Sequence, residues 1–223
     1  MSEQTWHENH ACAEFKTSRN RRCFYAQNLK RLLDVVLAGA AVVILSPLFV
    51  ILWLVTRLDG GPSLFCQQRV GRSGKIFRCL KFRTMVVDAE DRLATYLAKH
   101  PQIAEEWARH QKLKSDPRIT VVGRFLRKSS LDELPQLFNV LRGDMSLVGP
   151  RPFMPEQAEI YLGQAYYKLR PGLTGYWQIS DRHHSEFGER ARFDDKYFNE
   201  IGFRTDFRIL VKTIRVVLQA GGC

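Results

Sequence analysis

The chain is poor in cysteine and poor in acid. Its five cysteines (Cys12, Cys23, Cys66, Cys79 and Cys223) are odd in number and form no CxxC pair. Neither a zinc site nor a disulfide framework is therefore indicated, and reduced thiols facing the cytoplasm are expected. Also missing are a GxxxxGK[ST] loop, a GxGxxG after a strand and an HExxH helix. Their absence removes the common loop-borne nucleotide sites and the helix-borne zinc peptidase site; Gly71 and Gly74 alone are a weak phosphate-loop signal. Asp and Glu number 23 against 34 Lys and Arg, a net charge of +11. That excess suits a nucleic acid, an anionic membrane surface or a phosphorylated substrate, and does not choose among them. At 223 residues there is room for one moderate domain, with or without an appendage.

No secretory leader is expected, because the first long apolar run starts late and no cleavage pattern follows it. Residues 1–28 are polar and aperiodic, carry Arg19, Arg21, Arg22, His7 and His10, and are expected to form a basic, flexible arm with solvated histidines. Charge then disappears from Val35 to Val55, 21 residues in all, the length of a helix that crosses a bilayer. A single span is one reading of this membrane element, 29–58. Two features favour a re-entrant hairpin. Lys30 and Arg31 precede the run and Arg57, Arg69, Arg72 and Lys75 follow it, so both ends carry the cations that prefer the cytoplasmic side. Ser46-Pro47 stands at its middle, where proline removes a backbone donor and the serine hydroxyl can satisfy a freed carbonyl.

After the membrane element, Gly60-Gly61-Pro62 marks a turn. Strand-like runs Ser63 to Gln68 and Lys75 to Met85 flank the Gly71/Gly74 loop and predict a hairpin. On the second strand Lys81 and Arg83 share a face. They either receive phosphates or form a solvated basic edge. Val87 to Leu113 reads as helical with a break near Pro101, and Trp107 as a packing residue. Beyond Pro152, Glu156 to Tyr167 predicts a weakly amphipathic helix and Arg170 to Gly175 a loop. The last helix, Asp206 to Gln219, sets Phe207, Leu210, Val211, Ile214, Val217 and Leu218 on one face. That face packs on the core or lies in a membrane interface.

The chemistry concentrates in Arg127 to Pro152, RKSSLDELPQLFNVLRGDMSLVGPRP. Asp132 and Glu133 are adjacent acids, with Arg127 and Lys128 before them and Arg142 and Arg151 after. Ser130 with Glu133 three residues later fits a capping box, which predicts a helix starting here with both acids in its first turn. The helix dipole would favour their ionised forms, and ionised carboxylates suit a metal ligand or a nucleophile. A cap residue and a dipole partner are the plainer roles.

This stretch resembles the signature of the bacterial sugar transferases known as monotopic phosphoglycosyl transferases. The resemblance runs from about Lys30 to Leu218 and includes the Gly61-Pro62 to Gly71 block, Lys81-Phe82-Arg83-Thr84-Met85, Arg170-Pro-Gly-Leu-Thr-Gly-Tyr-Trp-Gln178 and Arg190-x-x-x-Asp194-x-x-Tyr197. Leu64, Cys66, Ser180-Asp181 and Phe187 depart from the usual pattern. The likeness implies that Asp132 is the nucleophile and that Glu133 helps hold Mg²⁺ or Mn²⁺. It further implies that Lys81, Arg83, Arg127, Arg151, Arg170, Gln178 and Arg182 serve the substrate, with Arg170 and Arg182 as diphosphate partners by charge and fork geometry. Ser46-Pro47 would be the break of a re-entrant membrane hairpin. The implied reaction moves a hexose-1-phosphate, galactose-1-phosphate by closest likeness, from a UDP-sugar to undecaprenyl phosphate, with release of UMP, as the first membrane step of exopolysaccharide synthesis. The implied setting is the bacterial inner membrane, catalytic domain on the cytoplasmic face, in contact with membrane lipid, without nucleic acid, and with a homodimer allowed. Galactose is not distinguished from glucose by any motif. The expected fold is helix-rich α/β, a membrane hairpin joined to a cytosolic α/β catalytic domain (59–223) with amphipathic interfacial helices. A non-catalytic basic membrane scaffold is the competing reading, and it leaves the paired acids unexplained.

Overall fold

The fold is described from a computed structural model covering residues 25–58, 60–110, 113, 116–180 and 187–218. The basic arm before Tyr25, with His7 and His10, and the loop holding Arg182, His183 and His184 lie outside the described residues, as does Cys223.

The apolar run forms two helices, α1 (Lys30–Ile44) and α2 (Ser46–Arg57), whose axes bend by 64°. Leu45 leaves helical geometry between them (φ −88°, ψ 4°). Pro47 falls in the first turn of α2, where its missing N–H costs no intrahelical bond. Ser46 Oγ donates to the Val43 carbonyl at 2.8 Å and so satisfies an acceptor freed by the break. Among the described residues no single helix is long and apolar enough to cross a membrane.

One stripe of α1 is fixed to the rest of the protein. Lys30, Asp34 and Ala38, spaced by four, are its buried residues. Lys30 Nζ pairs with Asp206 Oδ2 at 2.6 Å, and Asp34 Oδ1 accepts the Leu147 N–H at 3.0 Å. Helix α2 packs Leu52 against Phe82 and Leu126, and elsewhere the bent pair is largely apolar and bare: Leu32, Val36, Val43, Ile44, Val50, Ile51 and Leu54 are all more than half exposed.

Strands β1 (Leu64–Val70) and β2 (Ile76–Phe82) form the expected hairpin, antiparallel, with Phe65 opposite Lys81. Helices α3 (Ala89–Lys99) and α4 (Pro101–His110) break at Pro101 as the sequence predicts. Trp107 packs under the guanidinium of Arg118, itself paired with Asp116 at 2.7 Å. Then follow α5 (Val121–Ser129), α6 (Gln136–Arg142), β3 (Ser146–Val148), α7 (Ala165–Lys168), β4 (Gly172–Thr174), α8 (Arg190–Glu200) and α9 (Phe203–Leu218).

Three expectations are corrected. Residues 156–167 do not form one helix: a 3-10 turn at Pro155–Gln157 gives way to irregular chain before α7. Tyr161 and Tyr166 both pack on Phe153, with ring centroids 4.9 and 4.3 Å away. A continuous helix would set residues five apart about 140° around its axis and could not aim both at one ring. The Arg170–Gly175 loop contains strand β4, parallel to β3 with Ser146 opposite Gly172. A Cβ at Gly172 would stand 2.1 Å from the Gly149 nitrogen, so this pairing requires glycine. Finally, α9 divides the two roles proposed for it. Asp206 and Ile209 are buried, while Phe203, Phe207 and Ile214 are more than half exposed.

The core is built on α6. Leu137, Val140, Met145, Leu147 and Val148 pack with Ala38, Cys79, Tyr197 and Ile209. Asn139, fully buried, fastens α6 to β2: Nδ2 donates to the Arg78 carbonyl at 2.7 Å, and Oδ1 accepts the Leu80 N–H at 2.9 Å. Asn139→Ala strands both backbone groups, so thermal unfolding in detergent should show a loss of about 2–4 kcal/mol.

Candidate active site

The two acids are presented by a break between helices, not by the start of one. Thr120 caps α5, its hydroxyl accepting the Gly123 N–H at 2.8 Å. Helix α5 ends at Ser130, which adopts the left-handed conformation (φ 56°, ψ 16°). A 3-10 turn, Leu131–Glu133, carries the acids, and α6 begins only after Pro135. The expected capping box is therefore absent, because the Ser130 backbone is spent ending the previous helix and its side chain makes no cap bond. Left-handed backbone at a non-glycine residue costs roughly 1 kcal/mol or more, and here it turns Asp132 inward.

Helix α5 also crosses the end of β2 closely. A Cβ on Gly123 would stand 2.0 Å from the Thr84 carbonyl oxygen, so only glycine permits the approach. It brings Arg127 to Thr84, with Nε donating to Oγ1 at 2.8 Å. Lys81 from β2 and Arg151 from the Gly149-Pro150-Arg151-Pro152 turn converge on Glu133. Lys81 Nζ is 2.9 Å and Arg151 Nη2 3.3 Å from the same oxygen, Oε1. A cavity of about 840 Å³ opens here, lined by Lys81, Thr84, Arg127, Asp132, Glu133 and Arg151 among others.

The adjacent acids are driven apart electrostatically. Asp132 is only 9% exposed; burial, reinforced by the Glu133 charge, pushes its carboxyl up to about 6 against the pull of Lys81, Arg127 and Arg151. Burial also opposes ionisation of Glu133, but Arg151 and Lys81 outweigh it and hold this carboxyl down at about 2. The dipole expectation of two strongly acidic groups thus fails for Asp132. Two carboxyls with separated ionisation are the pattern expected of two separate roles. At neutral pH Asp132 is still mostly ionised and is more basic than an ordinary aspartate, which favours nucleophilic attack.

The structure gathers Lys81, Arg127, Arg151, Asp132 and Glu133. Arg83 also lines the cavity, but its Nε donates to the Pro62 carbonyl at 2.6 Å and its Nη2 to that of Thr56 at 2.9 Å, tying the end of α2 to the end of β2. Arg170 is not brought there: it donates to the Gly143 carbonyl at 3.1 Å. Gln178 is buried, and neither amide atom has a hydrogen-bond partner. Arg182 lies outside the described residues.

Other cations were not anticipated. Arg69 follows Gln67 on the β1 face that carries Lys81 across the ladder, a period-two signal that could have marked it. Arg190, four residues before Asp194, lies over the rings of Trp177 and Phe187 at 4.2 and 4.7 Å. Asp194 instead accepts from the Tyr161 hydroxyl at 2.6 Å. Arg151 shares Trp177 at 5.6 Å. Burial and the repulsion of Arg151 lower Arg190 to about 10, so these guanidiniums are crowded.

The arrangement places a buried carboxylate beside a cation-rich cavity, the chemistry of an anionic substrate. The bacterial sugar transferase family matches residues 25–220. The chain belongs to that family. Among its relatives are an undecaprenyl-phosphate galactose phosphotransferase of Salmonella typhimurium (49% identical over 87% of this chain and 41% of that protein) and a UDP-galactose-lipid carrier transferase of Erwinia amylovora (44% over 96% and 45%). The exopolysaccharide production protein ExoY of Rhizobium meliloti is 43% identical over 86% of this chain and 87% of its own length. The chain thus spans less than half the length of the first two of these relatives.

Because Asp132 ionises later in the fold than in the unfolded chain, its contribution to stability is present below about pH 4 and is lost as pH rises through about 6. Asp132→Asn escapes that loss. Denaturant unfolding should find the variant more stable than the native protein at pH 7.5, by on the order of 1–3 kcal/mol, with the gain vanishing at pH 4.

Proposed function

We propose that this sugar transferase moves a hexose-1-phosphate from a UDP-sugar to undecaprenyl phosphate through a covalent intermediate on Asp132. The observation that carries the proposal is the pair Asp132 and Glu133, oppositely shifted and enclosed by Lys81, Arg127 and Arg151. A carboxylate oxygen of Asp132 attacks the β-phosphorus of the donor. The bond from that phosphorus to the bridging oxygen breaks, UMP leaves with the electron pair, and an acyl phosphate carries the sugar. The phosphate of the polyprenyl acceptor then attacks the same phosphorus. The Asp132–phosphorus bond breaks, the free carboxylate returns, and a polyprenyl diphosphate sugar departs. Lys81, Arg127 and Arg151 offset the charge that moves onto UMP in the first step.

A divalent cation, Mg²⁺ or Mn²⁺, suits the residues present. Among the described residues no group of three or more His, Cys, Asp or Glu could hold one alone, but Mg²⁺ is often bound by one or two carboxylates together with substrate phosphates. Both basic contacts of Glu133 fall on Oε1, which leaves Oε2 as the donor, with the substrate diphosphate supplying further oxygens. When bound, the ion would neutralise charge on the diphosphate.

The sugar proposed is galactose, because relatives named for galactose are 44–49% identical and those named for glucose 36–37%. The bent α1–α2 pair is proposed to enter one leaflet of the inner membrane and return, leaving the catalytic domain on the cytoplasmic face. Support comes from the 64° bend at Leu45 and the bare apolar surface of both halves, and from cations at both ends. The exposed face of α9 would rest at the same interface. Topology is checked at Cys66, which is exposed: an impermeant thiol reagent should label it only after the cells are opened, whereas labelling in intact cells would place the domain outside.

The reaction is tested by UMP release from a panel of UDP-sugars, with undecaprenyl phosphate and Mg²⁺. Release should be greatest with UDP-galactose, stop on chelation, return with Mg²⁺ or Mn²⁺, and be absent in Asp132→Asn. Arg151→Ala should lower it about 100- to 1,000-fold. No release with any donor, from folded membrane-bound protein, would refute the proposal.

A further inference from the structure

Behind the acid pair lies a second chamber, far smaller than the catalytic cavity, of about 10 Å³. Arg69, Cys79, Lys81, Glu133, Gln136 and Arg151 are among the residues around it. Lys81, Glu133 and Arg151 also line the catalytic cavity, whereas Asp132 lines the cavity and not the chamber. Glu133 therefore stands between the two spaces.

Gln136 is the residue that the reaction leaves unexplained. It opens α6 three residues after Glu133 and is only 3% exposed. Its side-chain amide lines the chamber and finds no hydrogen-bond partner among the described residues. Asn139, on the same helix, shows the contrast: both of its amide atoms are bonded. A buried amide that the protein leaves unpaired is costly, and calls for a partner from outside the chain.

Size and polarity select that partner. A buried water needs roughly 10–15 Å³ and two to four polar contacts. The chamber has room for one water and none for a polyatomic anion such as phosphate. Arg69, Lys81 and Arg151 exclude a metal ion by charge. Burial pushes the Cys79 thiol up to about 11, so it offers no thiolate to a metal either. A halide would meet the Glu133 carboxylate, whereas water can donate to that carboxylate and accept from the Gln136 amide.

We infer that the chamber holds one water, hydrogen-bonded between the Gln136 amide and the Glu133 carboxylate, and that Gln136 is thereby a positioning residue for Glu133. The inference rests on the role proposed above for Glu133 as a donor to the divalent cation. Lys81 and Arg151 both grip Oε1. Two bonds to one oxygen hold that atom but leave the plane of the carboxylate free to turn. A third bond from the chamber side fixes the plane, and with it the direction of Oε2. Metal ligands are commonly oriented by such outer partners, and losing one weakens metal affinity about 10- to 100-fold. Gln136 acts only through the water and Glu133, and touches neither substrate nor ion.

Two variants separate the amide from the space it fills. Gln136→Met keeps the length of the side chain and removes its polar atoms. Gln136→Asn keeps an amide and leaves room for a second bridging water. Glu133→Gln tests the metal role on which the inference rests. Each is studied as the full chain in phosphatidylcholine nanodiscs. Mn²⁺ binding in the presence of UDP is followed by electron paramagnetic resonance, and UMP release is measured against Mg²⁺ concentration. High-resolution structures of the native protein and of Gln136→Met examine the chamber directly.

Gln136→Met should bind Mn²⁺ about 10- to 100-fold more weakly than the native protein. Its UMP release should need correspondingly more Mg²⁺, yet recover to within about threefold of native at saturation, with donor KM there unaltered. Gln136→Asn should lose no more than about threefold in either assay. The native density should show one water within hydrogen-bond reach of both Gln136 and Glu133, and Gln136→Met should show none. Native Mn²⁺ affinity in Gln136→Met would overturn the inference. So would lower maximal release at every Mg²⁺ concentration, the mark of a packing role, or density for a halide in the chamber. Native Mn²⁺ affinity in Glu133→Gln would instead refute the metal role of Glu133.

Discussion

Everything in the site depends on one carboxylate oxygen. Glu133 Oε1 receives both Lys81 from β2 and Arg151 from the turn after β3, and so joins the hairpin to the segment that follows α6. Neither cation belongs to the element that carries Glu133. Their arrival keeps Glu133 ionised, and the fixed charge beside Asp132 is one reason the neighbouring carboxyl ionises late. A buried charge is tolerable only when it is paired; Glu133 has two partners, while Asp132 meets cations only through the cavity. The asymmetry of the two acids follows from that geometry and not from their order in the chain.

The surrounding packing supplies the rigidity this needs. Asn139 fixes β2 to α6, so the strand bearing Lys81 and the turn bearing Asp132 cannot separate. Gly123 and Gly172 permit backbone approaches that any side chain would block, and these set Arg127 against Thr84 and the Arg151 turn against β4. The cost is a concentration of cations. Arg69, Arg151 and Arg190 repel one another across the face shared with Trp177. Such crowding is offset most directly by an anion, and stacking on an aromatic face retains a guanidinium without an ion partner.

Much of this was legible because it depends on local chemistry. The charge-free run, the Ser46-Pro47 break, the β1–β2 hairpin and the α3–α4 break each follow from residues close in sequence. Of the residues named for the site, Lys81, Arg127, Arg151, Asp132 and Glu133 do converge. The failures arise where tertiary demands prevail over local pattern. Ser130 has the spacing of a capping box, yet its backbone ends α5 in a left-handed turn that no local rule selects. The chain between Gln157 and α7 leaves helical geometry, which lets Tyr161 and Tyr166 both reach Phe153. Arg170 looked like a phosphate ligand by charge, but the β3–β4 pairing carries it to the Gly143 carbonyl. Arg190 has the i,i+4 spacing of a helix ion pair with Asp194, yet its guanidinium lies over Trp177.

The position of the site relative to the apolar surface follows from the same constraints. Helix α1 cannot stand away from the domain, because Lys30 and Asp34 are committed to Asp206 and to the Leu147 amide in the core. Moving either into hydrocarbon would cost several kcal/mol. Helix α2 is tied at its far end, where Arg83 holds the Thr56 carbonyl and Ser63 Oγ donates to that of Trp53 at 2.7 Å. With both ends anchored to one domain, a straight continuous helix cannot satisfy both sets of bonds, and the bend at Leu45 is what allows them together. Helix α2 consequently adjoins the site: Phe82, packed with Leu52 and Phe49 of α2, also lines the cavity that holds Asp132. Under the reaction proposed above, a phosphate on a membrane-embedded chain would meet that carboxylate at the interface, and a water-soluble donor would approach from the polar side.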